Sequence, residues 1–250
     1  MQFTPIIRKG LRLIEEREKV IGRYYPSELS YCIRREHYSY LQKTTYDLEA
    51  RKAFAIGDAI HQLIDNAFSS YSLKFPYFKV TVEIPDLIYN GNGFVVSGRL
   101  DALVEYNNER HIIEIKSHAN PLRILNPNEH HLSQLNYYLH FYPDAKGHII
   151  YVNKSKKIYS NVDFLEFPKK DEPDLSYNDS AFKELMSRAE RLHQSLVSGV
   201  LPEPEAKLNN ELWQCKVCPF RKMCEKQILE SKTGMKVDDL VVSDVVRNPG

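Results

Sequence analysis

The chain has 250 residues, 42% hydrophobic and 27% charged, with a formal net charge of +1. A chain of this length and balance can bury a substantial core and needs no covalent staple on grounds of size. Near-neutrality excludes attraction of the whole molecule to polyanions. A nucleic-acid site would have to be a local patch, such as Arg8, Lys9 and Arg12, or Arg34 and Arg35, or Lys154, Lys156 and Lys157, or Arg221 and Lys222. Each of these also reads as an ordinary solvated face. The first twenty residues are charged throughout and no apolar run nears the roughly 20 residues of a membrane span, so a cytoplasmic location is expected.

Thr4 and Pro5 form a cap and first-turn pair that predicts a helix over 5–20. Helical spacing of aromatics continues from Ser27 around Cys32. Phe54, Ile60, Leu63, Ile64 and Phe68 give residues 50–69 the spacing of a helix with one broad apolar face, and Gly57 and His61 ride on this helix. The period then changes to two. Strands are predicted over 77–84, 94–106 and 110–118, with turns at the Asn-Gly-Asn-Gly of 90–93 and at Asn107–Arg110. Residues 128–142 return to helix. Residues 147–154 and 157–167 read as a second hairpin, 169–180 as a polar loop, and 180–198 as a long helix. A Pro-rich connection over 199–211 leads into the cysteine segment. The expected fold is α/β, a central mixed sheet flanked by helices in a single domain. Within it, 1–49 form an N-terminal helical segment, 50–170 the core, 171–230 the C-terminal helix and cysteine segment, and 231–250 a tail.

The hairpin of 94–118 holds the most informative chemistry. With Asn108 and Glu109 at its tip, Leu103 faces Glu114 and Asp101 faces Lys116. Strand alternation then puts all four side chains on one face, with Asp101 and Glu114 as diagonal neighbours. Two carboxylates that close repel unless a cation lies between them. Oxygen donors suit Mg²⁺ or Mn²⁺, and a lysine beside the ion can orient a water or neutralise charge on a phosphate. The plainer alternative is an amphipathic strand whose charged face is solvated.

In this setting the chain resembles a known family. Residues 98–106 and 111–118 resemble the D…ExK core of the PD-(D/E)xK nucleases. Gly57 and His61 resemble the G-x-x-x-H helix of their RecB-like branch, and Gln134 and Tyr138 its Q-x-x-x-Y motif. Cys32 with Cys215, Cys218 and Cys224 resembles the iron–sulfur subset. The layout is similar to the fourth CRISPR-associated family, RecB-like exonucleases acting in spacer acquisition, and to related archaeal viral nucleases. The likeness runs from about Ser27 to Cys224.

The resemblance implies a restriction-endonuclease-like core and a metal-dependent DNA exonuclease that prefers single-stranded DNA or ends, acting 5′-to-3′. It implies metal ligation by His61, Asp101, Glu114 and the carbonyl of Ile115, and catalysis by Lys116 with Asp101 and Glu114. Gln134 and Tyr138 would position DNA or support the site. Leu100 stands before Asp101 where the family usually has proline. DNA, CRISPR integration proteins and a second copy of the chain are the expected partners. The alternatives are a viral endonuclease of the same fold, a silent DNA-end binding module, or a docking scaffold. A helicase motor motif is absent from the sequence.

Three of the four cysteines lie within ten positions, and two residues separate Cys215 from Cys218. That spacing is shared by zinc and iron–sulfur sites. A lone fourth cysteine far upstream departs from the paired pattern of structural zinc. With the resemblance, an iron–sulfur cluster is expected, 4Fe-4S ahead of 2Fe-2S, fastening the N-terminal helices to the C-terminal ones.

Overall fold

The computed structural model describes residues 18–42, 44, 46, 48–154 and 164–233. The helix predicted over 5–20 therefore falls almost wholly outside the described residues, and 18–20 are not helical. Two short helices follow a two-residue strand β1 (Arg23–Tyr24): α1 (Pro26–Leu29) and α2 (Ile33–Leu41), with Cys32 as the cap of α2. Helix α3 (Leu48–Lys74) exceeds its predicted span at both ends. Strands β2 (Lys79–Asn90), β3 (Val95–Tyr106) and β4 (Glu109–His118) come next, then α4 (Glu129–Phe141) and β5 (Lys146–Asn153). Strand β6 (Phe164–Phe167) pairs antiparallel with β5, as the second hairpin requires; residues 155–163 lie outside the described set. Helix α5 (Asp179–Ser198) precedes α6 (Glu205–Leu208), α7 (Leu212–Val217) and α8 (Arg221–Thr233). The Pro-rich connection thus contains a helical turn.

Local chemistry sets the boundaries. Asn128 and Asn178 cap α4 and α5 by accepting from the backbone N–H groups of His130 and Ala181. Gly199 ends α5 at φ 71°, the left-handed conformation that favours glycine. Asn107 and Asn108 both have positive φ, 52° and 63°. They form the two-residue turn whose twist matches the flanking strands.

The sheet runs β1-β3-β4-β5-β6, with β2 also on β3. It is mixed: β4 and β5 are parallel, while β2–β3, β3–β4 and β5–β6 are antiparallel. Helices cover both faces. The larger apolar cluster joins α1, α2, α4 and α5 to the sheet through Tyr24, Leu29, Ile112, Tyr137, Ile149 and Leu192. The smaller sets Ile60, Ile64 and Phe68 of α3 against Ala102, Val104, Ile113 and Ile115. Ile60, Ile64 and Phe68 recur every four residues, so one stripe of α3 packs down.

Candidate active site

The site forms where a ladder splits. Strand β2 occupies one edge of β3 along most of its length. The other edge is shared: β1 pairs with Val95 and Val96, and β4 pairs only from Ala102 to Tyr106. Past Ile113, β4 stays with β5 but leaves β3. The backbone N–H of Ile115 has lost its strand partner there. It donates instead to Asp101 Oδ2 at 2.7 Å, both groups being buried. A buried N–H has to find an acceptor, and this one fixes the aspartate.

The observed register corrects the predicted one. Ala102 faces Ile113 and Tyr106 faces Glu109, so the tip is Asn107–Asn108 and not Asn108–Glu109. Extended by one residue, this register sets Asp101 opposite Glu114, where Lys116 was expected. The shift is two residues in pairing, so the face is unchanged. Asp101, Glu114 and Lys116 still point to one side, now with the carboxylates directly across from each other. The predicted strand 77–84 also stops too soon. Strand β2 continues to Asn90 through a register shift between Ile84 and Leu87. Glu83 and Asp86 flank that shift in the left-handed region, at φ 51° and 55°. Such conformations cost a non-glycine residue about 1–3 kcal/mol.

That bulge brings in a residue the sequence reading missed. Ligand atoms of His61, Glu83 and Asp101 all lie within 4.8 Å of one another. His61 Nδ1 is 3.3 Å from Asp101 Oδ1. Glu83 is held by Arg99 at 2.6 Å. Proline at 85 inside a strand was the available signal, since within sheets proline is confined to edge strands, strand starts and bulges. Asp65, one turn after His61 on α3, was missed too; its Oδ1 is buried with no hydrogen-bond partner among the described residues.

Glu114 is 1% exposed. Its Oε1 pairs with Lys116 Nζ at 2.5 Å, while its Oε2 is buried without a partner. Burial, and then the charge of Asp101, raise the Glu114 carboxyl well above the ordinary carboxylate range. Burial raises Asp65 and Glu83 also, with Asp101 adding to both. Burial alone would lower Lys116, but Glu114 and Asp101 outweigh it and keep the ammonium charged. The hydrogen bond to Asp101 raises His61. The carboxylates are therefore crowded beyond what Lys116 and Arg99 offset. An unpartnered carboxylate oxygen among imidazole and carboxylate donors suits a hard divalent cation.

Helix α4 supports the lysine from behind. Lys116 Nζ donates to Gln134 Oε1 at 2.8 Å, and Gln134 Nε2 donates to Tyr138 OH at 3.2 Å. Tyr138 OH donates in turn to Arg99 O at 2.8 Å. Gln134 and Tyr138 are both buried, at 9% and 2% exposure. Gly98 allows the helix this close: a Cβ there would sit 2.7 Å from the Tyr138 ring and 2.8 Å from the Tyr137 ring. His61, Asp101, Glu114, Lys116, Gln134 and Tyr138 open on a cleft of about 610 Å³ that is also lined by Lys19, Arg23 and Arg99.

The cysteines converge elsewhere. Cys32, Cys215, Cys218 and Cys224 line one small pocket with Arg34, Arg35, Lys207 and Arg221. All four are free thiols. Burial raises Cys215 and Cys218 above the ordinary thiol value. Protein contacts already join the two chain ends around them. The Cys32 N–H donates to Gln214 Oε1 at 3.0 Å, the Ile33 N–H to Glu205 Oε2 at 3.2 Å, and Tyr38 OH to Gln227 Oε1. Four thiols ringed by cations form a donor set that fits a thiolate-ligated cluster.

The PD-(D/E)XK nuclease superfamily matches residues 70–225, more than half of the chain. Among solved structures, the chain is similar to SSO0001 at 21% identity, covering 89% of this chain and 95% of that one, with a TM-score of 0.57. It is also similar to an alkaline exonuclease, LHK-Exo, from Laribacter hongkongensis, at 11% identity over 78% of this chain and 95% of that one, TM-score 0.45. The LHK-Exo complex with dAMP gives 12% identity over 77% and 95%, TM-score 0.47. No curated protein matches. The chain belongs to the PD-(D/E)XK nuclease superfamily.

Proposed function

We propose that the chain is a metal-dependent deoxyribonuclease that hydrolyses phosphodiester bonds from single-stranded ends. The observation that carries this reading is the meeting of His61, Glu83, Asp101, Glu114 and Lys116 at the split between β3 and β4. Divalent metal binding falls to His61, Asp101 and Glu114, with the Ile115 carbonyl and Glu83 completing the set. A bound Mg²⁺ or Mn²⁺ supplies Lewis acidity toward the phosphate and lowers the pKa of its water.

The rest of the work belongs to the chain. Glu114 holds Lys116 within the cleft, and Gln134 orients the ammonium through its Oε1. So held, Lys116 neutralises charge that develops on the scissile phosphate as water attacks. Tyr138 fixes Gln134 and ties it to the β3 backbone. Lys19, Arg23 and Arg99 line the same cleft and attract the DNA backbone.

The cysteines hold an iron–sulfur cluster, 4Fe-4S in preference to 2Fe-2S, which fastens the chain ends around the core. A 5′-to-3′ trimming role in CRISPR spacer acquisition rests on the motif order from His61 to Cys224, and a viral nuclease shares that order. The test is anaerobic incubation of end-labelled single-stranded DNA with Mg²⁺ or Mn²⁺, beside Glu114→Ala and Lys116→Ala. Metal-dependent shortening from one end by the wild type alone is expected. Equal degradation by all three proteins sinks the assigned site, and binding without cleavage by the wild type makes the chain an end-binding module.

A further inference from the structure

We propose that His111 and His148 form a second metal site, taking an imidazole-preferring divalent transition ion such as Ni²⁺, Cu²⁺ or Zn²⁺. It is distinct from the carboxylate cleft. His111 alternates with Ile113 and Ile115 along β4, so it lies on the α3 side of the strand. Glu114 and Lys116 point to the other side. His148 stands opposite Ile113 on the neighbouring strand β5, diagonal to His111.

The two rings meet through His111 Nδ1 and His148 Nε2, 2.9 Å apart. Two nitrogens each about 2.1 Å from one ion are separated by about 3.0 Å at a right angle and about 3.4 Å at the tetrahedral angle. The pair is thus already at the spacing of adjacent ligands. Without an ion the same atoms share one proton, and binding needs a change of tautomer and a turn of the rings that brings both lone pairs onto the ion.

What lies behind the rings favours the ion. A metal-bound histidine generally gives its outer N–H to a carboxylate or carbonyl, which orients the ring and raises its basicity. His148 Nδ1 lies 2.9 Å from Glu166 Oε1, and a carboxylate only accepts, so this nitrogen carries the proton. The lone pair of its Nε2 therefore faces His111. The outer nitrogen of His111, Nε2, faces Glu109 Oε2 at 3.8 Å. Both rings thus have a carboxylate behind them and their other nitrogens turned inward.

Charge agrees. Among the described residues, Glu109, Asp174 and Glu166 face the pair together with Lys146, which spans Glu109 and Asp174 at 2.8 and 3.4 Å. Burial, and then His148, lower His111 below its ordinary value, so the ring is neutral and able to ligate near pH 7. Each imidazole side chain is 18% exposed, enough for an ion and its remaining waters to arrive from solvent. Magnesium is disfavoured here because it prefers oxygen donors.

The test is equilibrium dialysis of the tag-free full-length chain against Ni²⁺, with Mg²⁺ in excess to occupy the carboxylate cleft. Wild type is compared with His111→Gln, His148→Gln and Glu166→Gln, all prepared alike so that nickel on the cysteines cancels. Each histidine variant is expected to bind one Ni²⁺ fewer per chain. Glu166→Gln is expected to keep the count and bind about tenfold more weakly, the low end for loss of a carboxylate behind a ligating histidine. Melting temperatures without nickel report folding. Unchanged nickel titrations in the histidine variants overturn the site, and where those do not fold, an unchanged titration of the more exposed Glu166→Gln does so.

Discussion

The carboxylate cleft takes its metal-site side chains and its lysine from one stretch of chain, from His61 to Lys116, and hangs them on a long helix and three paired strands. The cysteine pocket instead joins Cys32 to a cluster beginning at Cys215, and it is built on short helices and their caps. In the cleft, backbone pairing positions the side chains and leaves the charges unbalanced. In the pocket, the side chains themselves bring distant backbone together. The first arrangement is suited to chemistry, because a rigid ladder can hold like charges close for an ion to exploit. The second is suited to closure. Damage to the cleft should therefore appear chiefly in rate, and damage to the pocket chiefly in stability.

The largest effect is expected at the pocket. Cross-linking residue 32 to 215 is worth about 5 kcal/mol as an upper bound from loop-closure entropy. Gln214, Glu205 and Gln227 still hold the ends in Cys32→Ala, so the loss should fall below that bound. The measurement is denaturant unfolding together with visible absorbance. A variant that keeps both its colour and its midpoint shows that Cys32 is no ligand and the pocket no clasp.

The cleft is broken most directly at Lys116. Lys116→Ala should lower kcat by roughly 10² to 10³, the loss typical when one group that stabilises transition-state charge is removed. The melting temperature should also fall, because Glu114 loses the ammonium that pairs with it and stays buried; proton uptake by Glu114 limits the loss. A fall in stability larger than the fall in rate would erase the contrast between the two regions.

Much of the cleft was legible in the sequence because strand alternation survives a register error. Placing the tip one residue late moved the pairing by two, and Asp101, Glu114 and Lys116 stayed on one face. What fixes the partners is the turn, and only the positive φ of both Asn107 and Asn108 reveals it. The Q-x-x-x-Y spacing of Gln134 and Tyr138 was visible, whereas its purpose was not, since hydrogen bonding to Lys116 depends on how closely α4 approaches β3. Glu83 was hidden by a bulge, and a period-two reading stops at a bulge. The convergence of the cysteines was legible only as spacing plus resemblance. No local rule connects Cys32 to a segment so far along the chain.

A smaller effect tests that approach of α4. Gly98→Ala would place a methyl within 2.8 Å of two tyrosine rings, and overpacking of this kind costs about 1–3 kcal/mol. The rings belong to the helix that orients Lys116, so the rate should fall along with the stability. A variant as stable as wild type would mean the helix can shift, and crystallography or the rate would then show whether Gln134 follows it.

The smallest effect is the most informative about where the cleft ends and the scaffold begins. Tyr138 OH donates to the Arg99 carbonyl and accepts from Gln134, so Tyr138→Phe removes two hydrogen bonds without changing ring packing. The buried acceptor and donor left behind cost about 1–3 kcal/mol between them if water does not reach them. Gln134 keeps its bond to Lys116 but loses its anchor, so kcat should drop several-fold while KM holds, because the tyrosine is 2% exposed and its hydroxyl is engaged by Gln134 and the Arg99 carbonyl. A change confined to KM would make Tyr138 a DNA contact. A change confined to stability would make it a packing residue that the lysine does not need.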